Sequence, residues 1–395
     1  MHASRRRLAL ALLSTLLSLA VAAPIVRSRI TSSGDGGTVQ VVDTTAELEA
    51  TLNSAGAGGG GDPGDDLGFV LRPLDEEVAA HFFPSIRGKS DSYDPDCYLV
   101  RGAGLKFNRR WPEHPDGKVR IETNSEGLRG PREVRADKPA FRVVVTGDSH
   151  IAGVVNHDEL ITHHLETELQ SSRNEGEVEV INAAVGGYTL YNYLGTLERL
   201  RRLDPDVFVV IVYGGNDFYD AAKLQRYMEE RGSFKRTSPL KGRRRAAWDA
   251  TGPVRSQELM QVRYFLANPG DEREVARAVK GVLRHMDERC EELSIELVVA
   301  YLPPPLAVQS SFFEDVLENA LSAIGAGMES LEVSDRIADE MLSFLQEEGI
   351  EHRDLRPRFR SSDELLYWRS DFHINTLGHR VAAEEILALV EAHAR

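Results

Sequence analysis

Hydrophobic positions along this chain fall into three regimes. Residues 8–26 are an uncharged, mostly apolar run behind Arg5, Arg6 and Arg7. Residues 31–67 are rich in Gly, Ser and Asp, closing on SAGAGGGGDPGDD. From Phe141 onward, short apolar runs alternate with segments of helical period. FRVVVT, EVEVINAA, VFVVIVY and IELVVAYL have strand length and little polar alternation, and three prolines halt the last of them. Between them HDELITHHLETEL puts Leu160, Ile161, His164, Leu165 and Leu169 on one helical face, and LYNYLGTLERLRRL and REVARAVKGVLRHMDERCEEL repeat that period. Helical patterns follow at 312–324 and 332–347, then a weak fifth strand near 350–355 and a closing helix over NTLGHRVAAEEILALVEAH. Strands apolar on both faces and separated by helices predict an α/β domain over 140–395. Its expected form is three-layer α/β/α with a five-stranded, mostly parallel, flavodoxin-like sheet.

The remaining stretches read as attachments. Residues 68–139 carry many Pro, Gly and Asp with short alternating pieces such as KVRIETN, which predicts a loop-rich, β-containing extension packed on the domain. Residues 220–270 form a charged, irregular insertion. The glycine run cannot offset the entropy of ordering, so 27–67 is expected to be a flexible spacer. Residues 1–26 have the basic start, apolar stretch and small residues of an export signal, with cleavage after Ala22. The same nineteen uncharged residues are long enough to stay as a membrane anchor. Both readings place the rest of the chain outside the cytoplasm: periplasmic, in the cell envelope or secreted.

Composition narrows the partners. With 47 Lys and Arg against 62 Asp and Glu, the net charge is −15, so a nucleic-acid partner is not expected. Membrane contact is expected only through an uncleaved N-terminal segment. Two cysteines make neither a disulfide framework nor a four-thiolate zinc site. Cys97 and Cys290 either pair in an oxidising compartment or leave Cys290 as a buried thiol. Lys241, Arg243, Arg244 and Arg245 form either a solvated loop or a flap offering charge to an anionic substrate.

In parallel sheets ligands bind beyond the carboxyl ends of the strands. Four polar or glycine clusters follow apolar runs there: Gly147-Asp148-Ser149-His150, Asn182 to Tyr188, Gly214-Gly215-Asn216-Asp217, and Asp371 to His379 before the last helix. Their chemistry fits acyl transfer. Ser149 on a tight turn needs a base, for which His373 is best placed, and Asp371 can hold the imidazole. The backbone N–H groups of Ser149 and Gly187 and the amide of Asn216 suit an oxyanion hole. GDSH, NAAVGGY, GGND and DFHINTLGH together resemble the four blocks of the SGNH (GDSL-type) hydrolase superfamily. TNSEGLRG followed by FRVVVTGDSHIAG is similar to the run-in of its exported bacterial members.

The resemblance implies a serine ester hydrolase without metal or organic cofactor. Ser149 would be the nucleophile, Gly187 and Asn216 the oxyanion donors, and Asp371 and His373 the rest of the triad. Its substrate would be a small-molecule, lipid or glycan ester. Two departures stand out. His150 replaces the usual Leu, and Asp-x-His replaces Asp-x-x-His, leaving Ser370 where the aspartate would be; related alginate-type O-acetyltransferases use the shorter spacing. Transfer of the acyl group to a carbohydrate hydroxyl uses the same intermediate. A metal-dependent phosphoesterase would instead recruit Asp148, His150, Asn216, His373 and His379. A non-catalytic binding protein on the same fold is the third alternative. His379 and Asn375 are expected to pack or cap the terminal helix, and Gly186 or Gly187 to serve a tight turn. His163 is expected at the surface and His164 in the core.

Overall fold

The computed structural model describes residues 73–171, 173–174, 176–229 and 256–394. The signal or anchor, the spacer, and the basic cluster at 241–245 lie outside the described residues. No helix among the described residues is long and apolar enough to cross a membrane.

The predicted apolar runs are strands β5 (Phe141–Thr146), β6 (Val178–Asn182), β7 (Val207–Tyr213) and β8 (Glu296–Leu302), with β9 at Glu351–Asp354. They form one sheet in the order β6-β5-β7-β8-β9, with every pairing parallel. β5 and β7 are buried along their whole length; β7 is accordingly apolar throughout, while β5 carries a buried Arg142 that donates to Glu179 of β6 at 2.8 Å. β9 has only β8 as a neighbour and is half-buried, so its sequence, EHRD, carries the charge typical of an edge.

Helices cover both faces. α3 (Ile161–Ser171) packs with the C-terminal α12 (Thr376–Ala392) on one. On the other, α7 (Asp271–Leu293) packs against α4 (Leu190–Leu200), α5 (Asp217–Glu229) and α10 (Glu332–Glu348). The 220–270 insertion is not irregular throughout. Its ends belong to α5 and to α6 (Gln257–Ala267), whose apolar side chains join the core, with Asp220 and Glu258 buried beside them. His164 is half-buried on α3 rather than in the core, while Leu160, Ile161, Leu165 and Leu169 are fully buried. Cys97 and Cys290 are both free and buried. Cys97 accepts a hydrogen bond from the Tyr188 hydroxyl, and burial pushes both thiols up to about 12, leaving them unreactive.

Ahead of the sheet, β1 (Asp91–Ser92) pairs with β2 (Val100–Arg101), and β3 (Lys106–Arg110) forms a hairpin with β4 (Lys118–Glu122). The hairpin docks through a small second core. Trp111, Val119 and Ile121 pack with Val154 and Val155, just after the first strand's loop, and with Trp368, just before Asp371. Burying each of these aliphatic side chains is worth about 1.5–3 kcal/mol. TNSEGLRG is the return from the hairpin. Asn124 accepts from the Glu126 and Leu128 N–H groups, and the buried Arg129 donates to the carbonyls of Ala152 and Val155 at 3.0 and 2.8 Å.

Candidate active site

Among the sheet strands in chain order the arrangement is second, first, third, fourth, fifth. The connection therefore reverses direction beside β5, and ligands are favoured outside the carboxyl ends of β5 and β7. Ser149 opens the one-turn helix α2 (Ser149–Ala152) directly after β5. Asp148 caps that turn, accepting from the His150 N–H at 2.8 Å. Gly147 is required by crowding: a Cβ there would come within 2.5 Å of Ile151 and 3.3 Å of the Ile211 carbonyl. Asn182, ending β6, ties the next loop to this turn through its Nδ2 donation to the Ile151 carbonyl at 2.9 Å.

The terminal loop brings in the other partners. His373 Nε2 lies 2.8 Å from Ser149 Oγ, and Nδ1 lies 2.9 Å from Asp371 Oδ2. Asp371 Oδ1 also accepts from the His373 backbone N–H at 3.2 Å. This tight fold-back requires Phe372 to adopt φ +67°, a left-handed conformation rare for a bulky residue. Its buried ring packs on Phe313, 5.4 Å between centroids. The shortened Asp-x-His spacing therefore works because the residue between them is left-handed.

His150 is 1% exposed and stacks between Tyr213 and His373, with centroids 3.7 and 4.5 Å away. Its Nδ1 accepts from the Ile374 N–H, and burial drives its pKa well below the ordinary histidine value, so it is a neutral ring supporting His373. Burial pushes Asp148 up to about 6 and Asp217 well above the carboxylate range. Asp217 accepts from the Tyr193 hydroxyl and the Tyr213 N–H, which fixes the Gly-Gly-Asn-Asp turn.

Ser149, His373, Gly186 and Gly187 line one cavity of about 360 Å³. Gly187 has φ +89° and supplies the tight turn. Asn216 is buried at the end of β7, its Nδ2 donating to Asp220 at 3.3 Å and its Oδ1 unpartnered. It does not line that cavity. No group of three or more His, Cys, Asp or Glu placed to hold a metal ion occurs among the described residues.

Asn375 caps α12, accepting from the Gly378 N–H at 2.9 Å. His379 is fully buried and accepts from the Ile161 N–H at the start of α3. Burial pushes it down to about 3, so its neutral form belongs to the fold while the unfolded chain protonates near pH 6.5. Its contribution to stability is complete above pH 6.5 and is lost as pH falls toward 3. Denaturant titrations should show the wild type losing about 2 kcal/mol more than His379→Gln between pH 7 and pH 5. Equal losses would contradict this account.

Other contributors had no signal in the sequence. Glu113, in the turn of the N-terminal hairpin, accepts from the Arg369 and Ser370 N–H groups at 2.7 and 2.9 Å and so holds the loop that carries Asp371. Arg101, Phe107 and Arg109 line the cavity from the same extension.

The sequence model of the GDSL-like lipase/acylhydrolase family matches residues 145–381, well over half of the chain. The chain belongs to this family. As a GDSL-like acylhydrolase it is an ester-hydrolysing enzyme. No match is found among curated proteins. Among solved structures it is similar to an acetyl xylan esterase, AlAXEase, at 15% identity over 63% of this chain and 100% of that one, with a TM-score of 0.39. It is also similar to a lipase/acylhydrolase from Enterococcus faecalis, at 14% identity over 64% and 96%, with a TM-score of 0.36. A catalytic mutant of Axe2, an acetylxylan esterase from Geobacillus stearothermophilus, gives 11% over 65% and 96%, with a TM-score of 0.40.

Proposed function

We propose that the chain is an exported serine ester hydrolase in which Ser149 is the nucleophile, acting on carboxylic esters or O-acetyl groups. The observation carrying this reading is the hydrogen-bonded series Asp371–His373–Ser149, at 2.9 and 2.8 Å, opening on a cavity. His373 Nε2 takes the hydroxyl proton as Ser149 Oγ adds to the ester carbonyl. Asp371 holds the imidazole in the tautomer with Nε2 free and stabilises the imidazolium that forms. The tetrahedral oxyanion takes hydrogen bonds from the Ser149 and Gly187 N–H groups; Asn216, buried outside the cavity lining with its Nδ2 on Asp220, is the third donor that the family resemblance implies. Collapse breaks the ester C–O bond, and the departing alcohol receives the proton from His373. Water, deprotonated by His373, then attacks the acyl-Ser149, and the carboxylic acid leaves with the serine hydroxyl restored. A cavity of about 360 Å³ is at the small end of ligand sites, which supports short acyl groups.

A serine-reactive phosphonate should label the wild type and not Ser149→Ala; an unlabelled wild type would sink the assignment. Asn216→Ala should lower kcat by about 10²–10³ with little change in KM, and an unchanged kcat would remove it from the oxyanion hole. Turnover that requires a carbohydrate hydroxyl would reassign the same acyl-enzyme to O-acetyl transfer. Export rests on the basic and apolar pattern of residues 5–26 and is checked by fractionating cells expressing the chain with and without them.

A further inference from the structure

The cavity beside Ser149 has a charge opposite to that of the whole chain. Its charged lining residues are Arg101, Arg109 and Arg129; no Asp or Glu is among them, although the chain's net charge is −15. Arg129 is 7% exposed and spends its N–H groups on main-chain carbonyls of the hairpin and of the segment after Ser149. Burial lowers it only to about 10, so it remains a cation at neutral pH, in the cavity wall and without a carboxylate bonded to it. Arg101 leans on Asp91 at 3.2 Å. Arg109 is exposed on β3, its guanidinium 4.7 Å over the Trp111 ring, and it has no ion-pair partner among the described residues. Strand alternation puts Phe107, which is 42% exposed, on the same face of β3. The accessible wall is therefore an unpaired guanidinium beside an exposed aromatic ring.

We propose that this wall selects esters carrying an anionic group, a carboxylate or a phosphate, beside the scissile bond, with Arg109 as its reader and Phe107 covering the apolar part of the same substrate. A guanidinium presents paired N–H donors that match either oxyanion. Placing the ester beside Arg109 rests on the reading of Ser149 as nucleophile.

The test uses the full chain and three probes of one shape: 4-acetoxybenzoate, 4-acetoxyphenyl phosphate and the neutral methyl 4-acetoxybenzoate. Calorimetry on Ser149→Ala reads binding without turnover, and wild-type kcat/KM reads selection during it. At least one anionic ester should be favoured over the neutral one by about tenfold, the worth of one charge-assisted hydrogen bond. High salt should shrink that advantage. Arg109→Gln should bring the anionic-to-neutral ratio near one, and Arg109→Lys should restore part of it. Comparing the two anionic probes separates carboxylate from phosphate. A ratio near one in the wild type, or one untouched by Arg109→Gln, overturns the proposal. Failure of the nucleophile reading looks different: Ser149→Ala would then keep its turnover while the charge ratio persists.

Discussion

Ser149→Ala is expected to lower kcat for a short-chain ester such as p-nitrophenyl acetate by about 10⁶-fold, leaving only what binding and the oxyanion donors supply. The fold should tolerate the change. Asp148, not Ser149, caps the short helix, and the cap accepts from the His150 backbone, which the substitution leaves in place. Unfolding free energy from denaturant titration should stay within about 0.5 kcal/mol of the wild type, as for substitutions that break no structural feature. A kcat loss below about 100-fold, with the protein folded, would move the nucleophile elsewhere, since removing one triad member costs far more.

Asp371→Asn is expected to cost about 10⁴-fold in kcat, the loss seen when an imidazole is held in the wrong tautomer. The carbonyl oxygen of Asn can still accept the His373 backbone N–H, so the left-handed Phe372 and the loop survive. Its amide nitrogen then faces His373 Nδ1 and donates to it. The ring proton shifts to Nε2, the atom that must accept from Ser149. Ser370 offers no substitute, since its main-chain N–H is what the loop uses, on Glu113. Steady-state kinetics with a spectroscopic check of the fold decides this, and a loss under about tenfold would assign the carboxylate role to a different residue.

The sheet was legible because β5, β6, β7 and nearly all of β8 are buried on both faces and are therefore mostly apolar. β9 was faint because an edge strand half exposed to water carries EHRD. The helical ends of the insertion, in α5 and α6, did not stand out in the sequence because buried polar residues, Asp220, Gln225, Glu258 and Gln261, interrupt the apolar period. Ser149, His373 and Asp371 were legible because the ends of parallel strands concentrate polar residues with chemical roles. The hairpin's part in the site was not. Glu113 reaches Arg369, and Arg129 reaches Ala152 and Val155, through pairings between distant segments that leave no local period. Phe372 hid for another reason. Its backbone is left-handed, and a phenylalanine is not a residue from which that conformation is inferred.

The docking of β3–β4 through its own small core gives this enzyme a division of labour along its chain. The proposed catalytic groups Ser149, Asp371 and His373 lie within the stretch shared with the family, residues 145–381, whereas the wall bearing Phe107 and Arg109 precedes it. A lineage can therefore change the sign or size of that wall without disturbing Ser149 or His373, provided Trp111, Val119 and Ile121 keep their grip on Val154, Val155 and Trp368. For protein engineering, grafting a foreign hairpin that preserves those three contacts is the most economical route to a new substrate. A chain shortened to its family-matched part would forfeit the wall, the Glu113 clamp and the cover over Trp368 together.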